Sequence, residues 1–370
     1  MTSLNLTLTI LAVAAGFGQF PDRHREEIEA SRPNRQIQFN QISDYLKRLN
    51  DASTERREAF FHPDYTSPEA YAASVNELAS HIKTRIGYPP PLAKEGQEAR
   101  WEHVADDAYA SIYRMWVEVL DGVEAYGMLS IPRNATDPAP LIICQHGGGG
   151  NPELIQGFSP DDGMGSGNYG WFVHRALERG YATWSPGLLF PFKGDEPIEG
   201  PARKKLDDDL RYAGTSILAI ELWKISKGLD AVLKRPEIDP NRVGMMGLSY
   251  GGLYTLWAMA LEPRIKVAVS SCYFNERVRY PWSDWMQFNS LNEFGDAEVC
   301  ALICPRPFMV EVGISDTLFA VEGARAEAQR AKIHWEQMGV PDQFKYVEHD
   351  GGHEFRGEKA FDFVDAVLNR

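Results

Sequence analysis

The segment Gly247-Leu248-Ser249-Tyr250-Gly251-Gly252 joins a short apolar run, Val243 to Leu248, to a helical stretch, Leu253 to Leu261. A chain passing from strand to helix in so few residues turns so tightly that flanking side chains collide. Glycines two positions to either side of Ser249 relieve the collision and let strand and helix approach. The serine is then held in a strained backbone conformation at the carboxyl end of a sheet. Its hydroxyl is exposed there, and the first amides of the helix point toward the same spot. The plainer reading is a glycine-rich turn that only happens to contain serine. The strand before it, the helix after it and the match at every motif position favour Ser249 as a nucleophile.

A serine hydroxyl needs a base. For an elbow in this setting the partners follow in the order serine, carboxylate, histidine. Gly351-Gly352-His353 falls just past the last predicted strand, where a loop can carry imidazole onto the serine. His334 sits inside a predicted helix and His349 closes a strand, so both are poorer bases. The bland role for His353 is a solvated loop histidine. The acid is sought after the strand Phe308 to Val312, where Gly313-Ile314-Ser315-Asp316 supplies Asp316. Its task would be to hold the imidazole tautomer and stabilise the imidazolium. Glu311, within the strand, and Glu322, opening the next helix, are weaker candidates. A helix cap or turn is the competing role for Asp316 itself. The oxyanion hole would combine the amide of Tyr250 with one from His146-Gly147-Gly148-Gly149-Gly150, where four glycines let N–H groups converge without a Cβ in the way. Gly148 is favoured and Gly147 stays open. A phosphate-binding loop is the rival reading of this run, but it lacks the Lys-Ser/Thr ending and the Rossmann spacing. Nothing in the constellation calls for a metal or a cofactor.

The rest of the chain supplies the setting. Ile112 to Val119 and Ala125 to Ile131 alternate apolar and polar residues around Asp121-Gly122, which predicts an antiparallel hairpin. Leu141 to Cys144 is continuously apolar, as in a strand buried on both faces. Strands at Tyr181 to Trp184, Val243 to Leu248, Val267 to Ser271, Phe308 to Val312 and Phe344 to Val347 then alternate with helical segments. The helices fall at Trp171 to Glu178, Ser216 to Leu233, Leu253 to Leu261, Val321 to Met338 and Glu358 to Leu368. The pattern is α/β: a mostly parallel sheet of about eight strands, with right-handed crossovers and helices on both faces. Residues 101–370 read as the catalytic domain, and residues 1–100 as a helical N-terminal extension docked on it. Within the extension, Ile37 to Leu49 has helical spacing, a second helix starts at Pro68, and Tyr88-Pro89-Pro90-Pro91 reads as a linker.

Three irregular stretches, near 151–170, 188–210 and 273–298, would insert at the carboxyl edge of the sheet as a lid. The third carries Tyr273, Trp282 and Trp285, suited to an acyl pocket, a sugar platform or simply the packing of the lid. Asp161-Asp162 and Asp207-Asp208-Asp209 read as solvated faces rather than a calcium site.

A formal net charge of −14 over 370 residues argues against nucleic acid or an anionic membrane surface as partner. Cys144, Cys272, Cys300 and Cys304 are too few and too scattered for a disulfide scaffold, and buried apolar thiols are their default. Leu4 to Ala15 is apolar enough for a signal-peptide core over residues 1–18, yet no Lys or Arg precedes it; a packed N-terminal strand or helix is the alternative. A cytoplasmic location is favoured, with export kept open. No later stretch of about 18 residues stays apolar enough to span a membrane. Oligomeric state is not legible.

With these residues in hand, the chain resembles the α/β-hydrolase superfamily from the hairpin to its C-terminus. Within it the chain is similar to the dienelactone-hydrolase-like and acetyl-xylan-esterase-like esterases. The His-Gly-Gly-Gly-Gly loop, Glu221-Leu222-Trp223 with Leu229-Asp230, Arg235 to Arg242, and Cys304-Pro305-Arg306-Pro307 carry the likeness. Dienelactone hydrolases proper use cysteine as nucleophile. Ser249 departs from that, and the resemblance then implies hydrolysis of carboxylic esters, short acyl groups and carbohydrate esters among them. The Ser-Tyr-Gly-Gly elbow also resembles the prolyl-oligopeptidase group, which makes a serine peptidase the rival enzyme. A non-catalytic binding protein on the same fold is the rival from another class, although no triad member is missing.

Overall fold

In a computed structural model, which describes residues 22–135, 138–158, 165–190, 192–193, 196–197 and 201–369, nine strands form one sheet. The apolar stretch Leu4 to Ala15 and Asp161-Asp162 lie outside the described residues. The strands are β1 (Arg100–Asp106), β2 (Ala110–Leu120), β3 (Val123–Pro132), β4 (Ala139–Gln145), β5 (Ala182–Pro186), β6 (Ile238–Leu248), β7 (Ile265–Ser271), β8 (Phe308–Gly313) and β9 (Phe344–His349). Their spatial order is β1-β2-β3-β5-β4-β6-β7-β8-β9. The first three strands and the β3–β5 pair are antiparallel, and β5 onward is parallel. This is the fold of the α/β-hydrolases.

All eight expected strands are present, and β1 is the ninth. Its sequence Arg-Trp-Glu-His-Val-Ala-Asp has no clean alternation because this edge strand buries neither face. Hydrophobic periodicity reports burial, so a strand solvated on both sides leaves no pattern.

Apolar side chains cover both faces of the sheet. On one face Phe172, Val173, Ala176 and Leu177 of α4 (Phe172–Glu178) and Phe361, Val364 and Leu368 of α10 (Glu358–Leu368) pack with Ile142, Met246 and Val267. The other face is covered by α6 (Ile217–Val232), α7 (Tyr250–Leu261), α8 (Asp296–Ile303) and α9 (Val321–Gln337), with Trp184, Met245 and Ala268 among their partners. Helix α6 starts where Ser216 Oγ accepts the Ala219 N–H at 3.1 Å. Gly228 lets it approach the sheet: a Cβ there would lie 2.4 Å from the Trp184 ring. All four cysteines are buried as free thiols.

By contact the chain divides into Met1–Ala52 and Ser53–Arg370. The described part of the first unit contains α1 (Arg32–Asp51), with a proline in its first turn. Helices α2 (Ser53–Phe60) and α3 (Pro68–Ile86) fall in the unit that holds the sheet. Helix α3 begins at the expected proline behind a Ser67 cap and buries Tyr71, Val75, Ile82 and Ile86. Tyr71 Oη donates to the Ala301 carbonyl at 2.7 Å. The Ser216 and Thr215 hydroxyls bind the carbonyls of Ile86 and Gly87 at 2.7 and 2.9 Å, so the chain leading into the proline run is tied down at its start.

A correction concerns residues 188–210. Their latter half is not irregular but enters helix α5 (Pro201–Tyr212). The inward-facing residues of this helix include Arg203 and Asp207, both buried, so no apolar stripe betrays it. Asp207 is therefore no solvated residue. It accepts the Ile217 N–H at 3.0 Å and Arg211 Nε at 2.6 Å, while Asp208 and Asp209 are exposed and pair with Lys204 and Lys205.

The Gly228 contact is testable. Gly228→Val should lower stability by about 1–3 kcal/mol or more through overpacking against Trp184. Gly167→Ala, where an added Cβ meets nothing within 4 Å, should leave the denaturant midpoint unchanged. Equal midpoints for both variants would contradict the packing.

Candidate active site

Strand register brings the functional loops level. Gln145 lies opposite Gly247, Leu248 opposite Ser271, Ser271 opposite Glu311, and Gly313 opposite His349. The loops after β4, β6, β8 and β9 thus leave the sheet side by side.

The elbow is as tight as its glycines imply. Ser249 has φ 61° and ψ −120°, a strained conformation for a residue with a side chain. A Cβ on Gly247 would lie 2.2 Å from the Gly251 carbonyl oxygen, and one on Gly251 would lie 2.1 Å from that of Gln145. Serine is nonetheless held, its N–H donating to the Ser271 carbonyl at 2.9 Å and its carbonyl accepting from Leu253 at 3.0 Å.

Asp316 and His353 meet. His353 Nδ1 is 2.8 Å from Asp316 Oδ2, and the Asp316 side chain is almost fully buried. The other carboxylate oxygen, Oδ1, accepts the N–H groups of Leu318 and Phe319 at 2.7 and 3.1 Å. Asp316 is therefore turn former and histidine partner at once, one oxygen for each. Burial pushes its carboxyl upward, but the His353 contact and the two amides outweigh it and hold the carboxyl below its usual range. Ser249 and His353 line one cavity of about 360 Å³ with Gly147 to Gly150, Leu154, Asn168, Tyr169 and Leu248.

The glycine loop forms a turn, with the Gly150 N–H donating to the Gly147 carbonyl at 3.2 Å. Gly147 also donates its own N–H to Tyr169 Oη at 2.8 Å. Of the two glycine amides considered, Gly147 is thus engaged, whereas Gly148 has no hydrogen-bond partner among the described residues. The Tyr250 amide heads α7, where helix N–H groups have no intrahelical partner. His146 anchors the loop from beneath. The Leu188 N–H donates to its Nε2 at 3.1 Å, which makes Nδ1 the donor to the Gly147 carbonyl at 2.9 Å. Burial pushes its pKa down to about 4, so the ring is neutral at pH 7.

The aromatic candidates separate. Tyr273 and Trp285 are 2% and 6% exposed. They pack on each other, on Arg277 and, for Trp285, on Tyr250 and Phe319. Both serve as packing beneath the surface. Trp282 is 40% exposed, with its ring 6.0 Å from Phe319, which in turn lies 5.5 Å from His353.

Two groups were not legible beforehand. Tyr169 lies in an irregular insertion that carries no periodic signal. Arg203 of α5 donates to Asp284 at 2.8 Å and to Tyr254 Oη at 2.7 Å, and its guanidinium covers the Tyr250 ring at 5.0 Å. The residue after the serine is thereby clamped by α5 and the segment that carries Asp284. The Cys272, Asp316 and His353 ligand atoms also lie within 4.8 Å of one another, with Cys272 buried behind the pair.

Residues 222–298, which include the elbow, match the family model described as the prolyl oligopeptidase family. YtaP of Bacillus subtilis (strain 168) is 26% identical over 235 residues, covering 60% of this chain and 75% of that one. Among solved structures, a glucuronoyl esterase from Solibacter usitatus superposes with a TM-score of 0.63 at 18% identity, over 81% of this chain and 94% of the other. An acetyl xylan esterase from Paenibacillus sp. R4 gives a TM-score of 0.52 at 18% identity, over 87% and 99%. At these identities the structures establish the fold. Among the described residues no helix is long and apolar enough to cross a membrane.

Tyr169→Phe should orphan the Gly147 amide at a cost of about 1–3 kcal/mol. Amide hydrogen exchange at Gly147 should accelerate with it. Unchanged exchange and stability would remove Tyr169 from the support of the loop.

Proposed function

We propose that this protein is a serine carboxylic-ester hydrolase that works through an acyl-enzyme on short-acyl esters, those of carbohydrates foremost. The observation that carries the reading is the 2.8 Å contact between His353 Nδ1 and Asp316, on a histidine that shares one glycine-floored cavity with Ser249. His353 Nε2 takes the proton from Ser249 Oγ as the oxygen attacks the ester carbonyl. The tetrahedral oxyanion rests on the amides of Tyr250 and Gly148, preorganised donors in a site walled by backbone. His353 then protonates the leaving alcohol, and the acyl-enzyme forms. A water gives its proton to His353 and attacks the acyl carbon; as the tetrahedral intermediate collapses, the bond to Ser249 Oγ breaks, Oγ takes the proton back from His353, and the acid is released. Asp316 holds the imidazole in the tautomer with its proton on Nδ1 and stabilises the imidazolium.

Three observations support the substrate class. The cavity of about 360 Å³ is suited to a small acyl group. Beside it Trp282 offers an exposed ring of the kind on which sugars stack, and the structural neighbours include esterases named for glucuronoyl and acetyl-xylan substrates.

A serine peptidase is the second reading, favoured by the family model that spans the elbow. Cleavage of peptidyl amides at rates near those of esters would select it. A non-catalytic role would be selected if a fluorophosphonate probe failed to label Ser249.

Ser249→Ala should abolish turnover of p-nitrophenyl acetate, with the melting temperature maintained; retained turnover sinks the assignment. On a panel of acyl lengths set beside acetylated xylan and glucuronoyl esters, Trp282→Ala should raise KM for the carbohydrate esters several-fold. Its KM for p-nitrophenyl acetate should stay put, and an equal change on both would remove Trp282 from sugar binding.

A further inference from the structure

Glu311 is a carboxylate in the middle of the parallel sheet, 2% exposed, on β8 five positions before Asp316. A charge in such a place is costly unless hydrogen bonds replace its water. It forms no salt bridge among the described residues; three neutral donors satisfy it. Oε1 accepts Ser271 Oγ at 3.0 Å and the Arg356 N–H at 3.0 Å, and Oε2 accepts the Gly357 N–H at 3.0 Å. Two of the three are successive amides of the loop that carries His353.

The other attachments of this loop show what Glu311 completes. Its entry is bonded to the Asp316 loop: Ile314 N–H donates to the His349 carbonyl at 2.9 Å, and Ser315 N–H to that of Gly351 at 3.1 Å. A Cβ on Gly313 would lie 2.0 Å from the Gly352 carbonyl, so the two loops touch backbone to backbone. Beyond the histidine, Cys272 Sγ lies 3.4 Å from the Glu354 carbonyl and the Phe355 N–H donates to Asn168 at 2.8 Å. Glu311 holds the exit. His353 is thus suspended between a carboxylate partner on one side and a carboxylate anchor on the other.

We propose that Glu311 is a positioning residue for His353, acting through the Arg356 and Gly357 amides rather than by contact with the ring. The proposal rests on the esterase reading for its kinetic test and on the loop geometry for its spectroscopic one. Glutamine at 311 has the shape of glutamate but turns one acceptor into a donor, so one set of donors faces an N–H₂ group.

Glu311→Gln should lower kcat for p-nitrophenyl acetate by about tenfold or more, with KM changed less than about twofold, because the loss falls on the transition state. In a His353→Ala background the same substitution should cost nothing further, whereas a general loss of structure would add to it. Independently of turnover, the downfield proton resonance of His353 Nδ1 against Asp316 should weaken or vanish in Glu311→Gln. Ser271→Ala, which removes one donor and leaves both loop amides, should show the same signature at reduced size and serves if Glu311→Gln does not fold. Wild-type kcat with an unchanged resonance overturns the proposal. If the wild-type protein hydrolyses no ester, the esterase reading fails and the resonance alone decides Glu311.

Discussion

The backbone at the elbow runs against its neighbours without room for a side chain. Gly251 lies on the Gln145 carbonyl, Gly247 on Gly251, and Gly252 on the Ser271 carbonyl, with a Cβ at each meeting oxygen at 2.1, 2.2 and 2.7 Å. The ends of β4, β6 and β7 and the first turn of α7 therefore form one backbone-to-backbone knot. From it the serine projects, the glycine loop after β4 departs, and the next strand runs on to the residues that hold the histidine loop. Everything placed at this edge of the sheet inherits its position from that packing, and the cost is a serine kept at φ 61°.

Around the knot, polar groups do what apolar ones do elsewhere. Arg203 docks α5, Asp207 caps α6, Glu311 holds the histidine loop, and His146 pins the glycine loop as a neutral ring. Each is buried, and each is answered by hydrogen bonds to backbone or side chains. Breaking one partner in such a set leaves an uncompensated polar group, which costs far more than the intact contact contributes. These bonds are directional in a way apolar packing is not, so they fix loops in a single arrangement.

The same fact explains what the sequence disclosed. Eight strands and the large helices were legible because they bury apolar faces, and periodicity records burial. Ser249, His353 and Asp316 could be nominated because their order and spacing follow from the topology of the sheet, and the structure brings His353 and Asp316 together. Helix α5 was not, since Arg203 and Asp207 occupy positions where a pattern reader looks for leucine. Strand β1 was not, since it buries nothing. Tyr273, Trp282 and Trp285 sat together as one aromatic cluster in the sequence. Only the fold sorted two of them into the interior and left one with a free face.

Tyr250 sits where the elbow and the surrounding side-chain packing meet. Its amide heads the elbow helix, while its ring lies between Phe190, Trp285 and the Arg203 guanidinium, with its hydroxyl 3.3 Å from Asp284. The segments that carry Phe190, Arg203, Asp284 and Trp285 therefore grip the residue that follows the serine. A change in these packing segments cannot be made without also leaning on the elbow. Replacements at Phe190, Asp284 or Trp285 therefore reach the elbow through Tyr250.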